Sequence, residues 1–191
     1  MSSVELPAGR AASARPLNDP GLFVTLAVVA ALAIAGLVVS MLRRPPIPAV
    51  VSQDYTSVAG GVLVPTVRIQ EARALTAALD AAAPSLGARV PDLTAEGYGL
   101  EGGAVHAVAD RPGIVAIYHN APQELVVWQV YRGVVTELPD TTDVREHDGR
   151  RYYVHRKSTY ILVFWQEGPR VQVLTSSLPA EQVVRIAFAA H

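Results

Sequence analysis

The longest apolar run of the chain extends from Leu22 to Leu42 without a charged residue, and its only polar side chains are two hydroxyls. These 21 residues form about 31 Å of α-helix, which matches a bilayer hydrocarbon core of about 30 Å. A secretory signal peptide has a shorter apolar core and a small-residue cleavage site, whereas this run is followed directly by two arginines and two prolines. The run therefore predicts a single uncleaved transmembrane helix over 22–42.

The orientation of this helix depends on the arginines that flank it. Arg10 and Arg15 precede the run, and Arg43 and Arg44 follow it directly. The flanking pairs alone slightly favour a cytoplasmic C-terminal side, but long domains translocate largely regardless of such charges. We expect the N-terminus inside and the C-terminal domain outside the cytoplasm.

Small residues recur every four positions within the predicted span. Ala27, Ala31 and Ala35 form one row, and Gly36 and Ser40 repeat the spacing one position round the helix. Small residues at this spacing allow a second helix to approach closely. The row indicates either a helix-packing face or only the alanine-rich composition of the chain.

The rest of the chain divides by composition. Residues 1–21 contain three prolines and no periodic apolar stripe, which predicts a short disordered cytoplasmic tail. Residues 43–66 begin with RRPPIP and read as a Pro-rich linker that keeps the following domain off the bilayer. Residues 67–191 are long enough to form a domain with its own core.

The pattern within residues 67–191 changes from helical to extended. Val67–Ala83 has apolar residues near i, i+3, i+4 spacing and is followed by Pro84. A second predicted helix closes the chain, with Ser176 and Ser177 as capping residues and Pro179 in its first turn. Short separators between successive strands favour an antiparallel meander, so we predict an α+β fold in which a meander sheet is flanked by two helices. The predicted strands are Gly103–Val108, Ile114–His119, Glu124–Tyr131, Arg151–Arg156, Thr159–Gln166 and Val171–Thr175.

Trp165 alternates with Val163 and Ile161 on one face of a predicted strand. This spacing places the indole in the core, against the closing helix. A buried indole N–H usually finds a hydrogen-bond partner, and we expect one here.

The residue types needed for common catalytic chemistry are scarce. The chain has no cysteine, a net charge of −1, no GxSxG elbow and no phosphate-binding loop. None of the histidines has the spacing of a helical zinc site. We therefore predict that the chain is not an enzyme and holds no metal or cofactor, and the charge argues against nucleic-acid binding. The five histidines are His106, His119, His147, His155 and His191.

A cluster of basic residues lies in the predicted hairpin GRRYYVHRKSTY. Arg150, Arg151, Arg156 and Lys157 follow five acidic residues between positions 137 and 148. With Arg145, which lies among those acids, the region has five basic residues, so its charges balance. The cluster is either a polar hairpin face laced with opposite charges or a protein-contact surface.

Several segments resemble the extracytoplasmic domain of transmembrane anti-sigma factors. VPDLTAEGYGLEGG at 90–103 is similar to a family pattern in which a PDL segment precedes an aromatic residue and a glycine pair. Ile114–Tyr131 resembles the paired strands of that family. The stretch YILVFWQEGPRVQVLTSSLPAEQVVRIA, which contains Trp165, resembles its tryptophan-bearing hairpin and closing helix.

The resemblance implies a bacterial inner-membrane protein with a sensor domain in the periplasm or outside the cell. Family members carry a sigma-binding domain before the membrane helix, often with an HxxxCxxC zinc site, whereas only 21 residues precede the span here. The chain thus resembles the sensor half of an anti-sigma factor without its effector half. Two functions follow as expectations: a regulatory protein that acts through protein partners in an anti-sigma system, or a structural accessory subunit that docks to a larger membrane or envelope complex.

Overall fold

A computed structural model describes residues 29–32, 46–120, 124–139, 141 and 143–190. Seven antiparallel strands form one sheet in the order β1-β2-β3-β7-β6-β5-β4. In the described part of the chain from residue 46 onward, three α-helices accompany the sheet, with short 3₁₀ turns at Thr94–Glu96 and Val135–Glu137. The strands are β1 Gly99–Val108, β2 Arg111–Asn120, β3 Glu124–Arg132, β4 Val144–His147, β5 Arg150–Arg156, β6 Ile161–Glu167 and β7 Arg170–Ser176. The helices are α1 Ile47–Ala59, α2 Ala72–Ala82 and α3 Ala180–Ala189.

The sheet consists of two meanders that meet at its centre. The chain leaves β3, crosses to the far edge through residues 133–143, and returns strand by strand to β7, which pairs with β3. The predicted α+β class with an antiparallel sheet is confirmed, and each predicted strand corresponds to an observed one. The prediction of a single meander with two helices is wrong, because β3 pairs with β7 rather than with the next strand along the chain and a third helix accompanies the sheet. The sequence pattern missed β4, because this edge strand has four residues, VREH, without an apolar alternation.

Both faces of the sheet are covered. In β3, Val126, Trp128 and Val130 belong to the core formed with α2 and α3. Leu125, Val127 and Tyr131 point to the other face, where they pack in the clusters that contain α1. The near-continuous apolar sequence of β3 follows from this two-sided burial.

Helix α1 corrects the prediction of a linker over 43–66. Residues 47–59 form a helix in the same compact unit as the sheet, with Ile47, Val51 and Tyr55 buried. The prolines suggested an extended spacer, but Pro46 caps the helix and Pro48 lies in its first turn, where a proline costs no hydrogen bond. The i, i+4, i+8 spacing of the three buried side chains gives α1 its sheet-facing side.

The glycine pair of the predicted first strand has a packing role. A Cβ on Gly103 would lie 2.6 Å from the carbonyl oxygen of Val115 and 3.1 Å from Leu79 of α2. Gly102 has φ +151°, and a Cβ there would lie 2.3 Å from the carbonyl oxygen of Val67. The absence of side chains at both positions lets α2 and the segment before it approach β1.

Trp165 is fully buried in the core beside α3, as the strand alternation predicts. The prediction that its N–H has a hydrogen-bond partner is wrong, because no described residue accepts a hydrogen bond from Nε1. Trp128, also fully buried, instead donates from Nε1 to Oε1 of Gln172 at 2.9 Å. The two tryptophans therefore differ in hydrogen bonding and not in burial.

Replacement of Val51 tests the docking of α1. Val51→Ala should lower the free energy of unfolding by about 2 kcal/mol, because it leaves a cavity under the helix. The exposed neighbour Gln53 provides the control, and Gln53→Ala should change stability by less than about 0.5 kcal/mol. Denaturant unfolding of the detergent-solubilised chain, followed by tryptophan fluorescence, measures both. Equal effects of the two variants would contradict a docked helix.

The two tryptophans give a matched pair of substitutions. Trp165→Phe removes a buried donor that has no partner among the described residues, whereas Trp128→Phe leaves the buried Oε1 of Gln172 without its donor. Trp128→Phe should therefore be the more destabilising by about 1–3 kcal/mol. Circular dichroism during chemical unfolding reports the difference. A larger loss for Trp165→Phe would show that its N–H has an essential partner.

Candidate functional site

Part of the positive charge of the basic hairpin is engaged in ion pairs within the domain. Arg156 lies 2.8 Å from one carboxylate oxygen of Asp143, and Arg145 lies 2.8 Å from the other. Arg145 also reaches Glu181 of α3 at 3.0 Å. Burial acts to raise the pKa of Asp143, but the hydrogen bonds and charges of the two arginines bring it below its ordinary value. Arg156 thus holds the hairpin against the chain before it.

The remaining predicted contact residues do not form one cationic patch. Arg150 is half-buried, and its charge partly offsets the burial that raises the pKa of the Tyr152 hydroxyl. Arg151 and Lys157 are exposed and have no ion-pair partner in the described part of the chain. Arg151 lies near the start of β5 and Lys157 follows its last residue, about 20 Å away at the rise of an extended strand. The structure therefore separates the two free cations of this hairpin.

The histidines occupy separate places and mostly pair with acids. His106 contacts Asp54 at 3.0 Å, His119 contacts Glu101 at 2.8 Å, and His147 lies 3.5 Å from Asp148. His155 packs edge-on against Phe164, and burial lowers its pKa. His191 lies outside the described residues. Within the described ranges, no three His, Asp or Glu side chains converge as the ligands of a metal ion would.

A buried polar cluster joins α1 to the sheet. Asp54 is 8% exposed and lies 3.0 Å from Nε2 of both His106 in β1 and Gln129 in β3. Burial raises the pKa of Asp54, although His106 and Gln129 partly offset it. The hydroxyl of Tyr55, one residue on, accepts a hydrogen bond from the backbone N–H of Ser177 at 3.1 Å. These contacts fix the helix in one register on this face.

A groove of about 670 Å³ opens on the side of the sheet that carries α2 and α3. We call it the arginine groove. Its lining comes mainly from three parts of the sequence: the start of α2, the loop 87–92 and the β6–β7 hairpin. The charged and polar lining residues are Glu71, Arg73, Thr76, Arg89, Asp92, Glu167, Arg170 and Gln172.

Two carboxylates of the arginine groove are bound to backbone and hydroxyl donors of their own segments. Glu71 caps α2 by accepting from the backbone N–H groups of Arg73 at 2.9 Å and Ala74 at 2.6 Å. Asp92 accepts from the backbone N–H of Thr94 at 3.0 Å and from its hydroxyl at 2.5 Å. These bonds with Thr94 lower the pKa of Asp92. Both carboxylates therefore stabilise the conformation of their own segments by accepting hydrogen bonds from nearby residues.

The third carboxylate, Glu167, belongs to a network at the floor of the groove. Arg170 donates to the carbonyl oxygens of Leu86 and Gly87, and its guanidinium lies 3.5 Å from Glu167. Gln172 donates to Glu167 and accepts from Trp128 in the core. The network ties the loop after α2 to the β6–β7 hairpin.

Arg73 and Arg89 remain outside these networks. Both side chains are exposed, and neither has an acidic group within 4 Å among the described residues. Each guanidinium offers five N–H donors in a planar fork that suits a carboxylate. The arginine groove thus contains donors that an incoming acceptor can occupy.

Sequence reasoning did not predict the arginine groove. Arg73 falls on the polar side of the predicted first helix, and Arg89 lies in a segment between the assigned elements. The two come to one groove because the chain turns back after Pro84 and Arg170 holds the loop at Gly87. The spacing of residues in the sequence does not encode the path of this loop, so it could not predict that Arg73 and Arg89 line one groove.

The predicted span and its small-residue row fall mostly on residues that the structure does not describe. Only residues 29–32 of the run 22–42 are described, and they are helical. Of the helix-packing candidates, Ala31 lies in this segment, while Ala27, Ala35, Gly36 and Ser40 lie outside it. Across the described ranges, no helix has both the length and the apolar character needed to cross a membrane.

Comparison with known proteins gives no match: no family model, curated protein or solved structure resembles this chain significantly. The resemblance to anti-sigma sensor domains therefore remains a prediction from the sequence.

The two buried or paired aspartates should respond to pH in opposite directions. The pKa of Asp54 is higher in the folded chain than its ordinary value of 3.8. The stability that protonated Asp54 contributes is therefore fully present below pH 3.8 and is lost as the pH rises through the raised pKa. Folding lowers the pKa of Asp143, so its contribution is present above 3.8 and is lost as the pH falls through the lowered value.

Denaturant unfolding at pH values between about 3 and 7 tests this prediction. The stability of the parent chain relative to Asp54→Asn should fall as the pH rises, because only the parent chain must bury a charge. Relative to Asp143→Asn it should rise with pH at the acidic end. If the stability difference from the parent chain changed with pH in the same direction for both variants, the opposite pKa shifts of Asp54 and Asp143 would be contradicted.

Proposed function

We propose that this chain is a membrane-anchored regulatory protein that acts by binding other proteins. In this proposal a single helix over 22–42 spans the bacterial inner membrane, with the N-terminus in the cytoplasm and the α+β domain in the periplasm or outside the cell. The regulatory role rests on the resemblance to anti-sigma sensor domains. The binding role rests on the arginine groove.

The membrane anchor is supported by the sequence and by the exposure of the described residues in the run. The 21-residue stretch has no charged side chain. Val29 and Leu32 lie in the helical segment 29–32 and are 60% and 68% exposed. Large apolar side chains exposed on an uncharged helix are suited to a lipid environment.

The binding role is carried by the exposed guanidiniums of Arg73 and Arg89, which line one groove without acidic partners among the described residues. The groove is formed on a sheet whose central strands are buried on both faces, so its lining is held on a well-packed support. Confinement to a membrane raises the effective concentration of a tethered domain, so modest contacts suffice for binding. This gain in effective concentration is largest for a partner that is anchored in the same membrane.

Substitutions in the predicted span test the anchor and the partners together. Val29→Arg combined with Leu32→Arg should release the chain from carbonate-washed membranes, since each arginine at the centre of a span costs about 2.5–3.5 kcal/mol. The same changes at two exposed valines of the domain, Val62→Arg and Val64→Arg, form the control and should leave the chain in the membrane.

Affinity purification of the tagged full chain from native membranes in mild detergent gives the second readout. The parent chain should retain specific proteins that the Val29/Leu32 variant loses. Fusion of alkaline phosphatase after His191 should be active if the domain lies outside the cytoplasm. Membrane retention of the Val29/Leu32 variant, the absence of any specific protein, or an inactive fusion would overturn the corresponding part of the proposal.

A further inference from the structure

We propose that the arginine groove binds an acidic peptide segment of the partner protein, with Arg73 and Arg89 each holding a carboxylate. This inference deepens the proposed protein-binding function and rests on it. It commits to one occupant, a stretch of extended chain with spaced acidic side chains.

The charge argument begins with the acids that surround the two arginines. Glu71 and Asp92 are bound to backbone N–H groups and a hydroxyl, and Glu167 is bound to Arg170 and Gln172. None of them lies within 4 Å of the guanidinium of Arg73 or Arg89. An incoming carboxylate therefore competes with no internal ion pair at either arginine.

The same acidic residues argue against a nucleic acid as the occupant of the arginine groove. Three acidic residues line the groove together with three arginines, so its formal charges balance. A nucleic-acid backbone carries a charge at every nucleotide and would meet these carboxylates. A peptide carries its charges at intervals, so its carboxylates can face the guanidiniums of Arg73 and Arg89 while uncharged residues pass the acids.

The size of the groove also favours a peptide over a simple anion. Its volume of about 670 Å³ lies in the range of about 300–1,000 Å³ of sites that bind organic ligands. Gln172 and Arg170 at its floor are fixed by hydrogen bonds to Trp128 and to the loop carbonyl of Gly87. The floor of the groove is therefore preformed, which lowers the entropic cost of binding there.

Titration calorimetry of the full detergent-solubilised chain tests the inference with defined probes. The probes are a capped peptide that alternates glutamate with glycine, the same peptide with glutamine for glutamate, and inorganic phosphate. The acidic peptide should bind, and binding should weaken about tenfold for each of Arg73→Gln and Arg89→Gln, as expected for the loss of a charge-assisted hydrogen-bonded pair.

Arg68→Gln is the matched control, because Arg68 is also exposed, has no acidic partner among the described residues and lies outside the groove. It should leave the affinity unchanged. Equal weakening by Arg68→Gln, equal binding of the glutamine peptide, or binding of phosphate as tight as that of the acidic peptide would overturn the inference.

Purification from native membranes separates this inference from the proposed function. The Arg73→Gln, Arg89→Gln double variant should lose the partners that the parent chain and Arg68→Gln retain. Full retention by the double variant would overturn the groove as the binding site while protein binding itself stands. The absence of specific partners for the parent chain would overturn the proposed function instead.

Discussion

The antiparallel pairing of β3 with β7 is the contact on which the rest of the domain depends. It joins the two meanders into one sheet, from Val126 opposite Ser176 to Arg132 opposite Arg170. Its strands are buried on both faces, and the side chain of Ser176 adds a hydrogen bond to the carbonyl of Leu125 at 2.7 Å. The Trp128–Gln172 bond links the same two strands. Because Gln172 also lies at the floor of the arginine groove, the core pairing positions the proposed binding site directly.

The arginines of this sparsely charged chain divide into two kinds. Arg156 and Arg170 are engaged, the first by Asp143 and the second by loop carbonyls and Glu167, and they hold hairpins and loops in place. Arg73 and Arg89 have no acidic partner among the described residues. Since exposed ion pairs contribute little to stability, the engaged arginines act mainly by fixing geometry. The others leave hydrogen-bonding capacity for a ligand.

Helix α1 joins the sequence that follows the predicted span to the centre of the domain. Val51 is buried beneath it, and Asp54 reaches His106 and Gln129 on two strands. A buried carboxylate is costly without such partners, so the cluster favours one position of the helix over others of similar apolar contact. In the proposed function, helix α1, which begins five residues after the predicted span, is thus part of the domain core.

The sequence by itself determined the class of fold, the antiparallel sheet and the burial of Trp165, because these follow from local periodicity and from turn residues that neighbouring positions share. It also predicted the span over 22–42, which the described residues do not test. Only the tertiary structure decided that residues 47–59 are a docked helix, since a proline-rich start is compatible with either a spacer or a first helical turn. Likewise, only the tertiary structure decided which arginines are free. An arginine's partner is set by the path of the loops and the strand order, as with Asp143 beside Arg156 and Gly87 beside Arg170. Such contacts join residues far apart in the chain, and no local pattern encodes them.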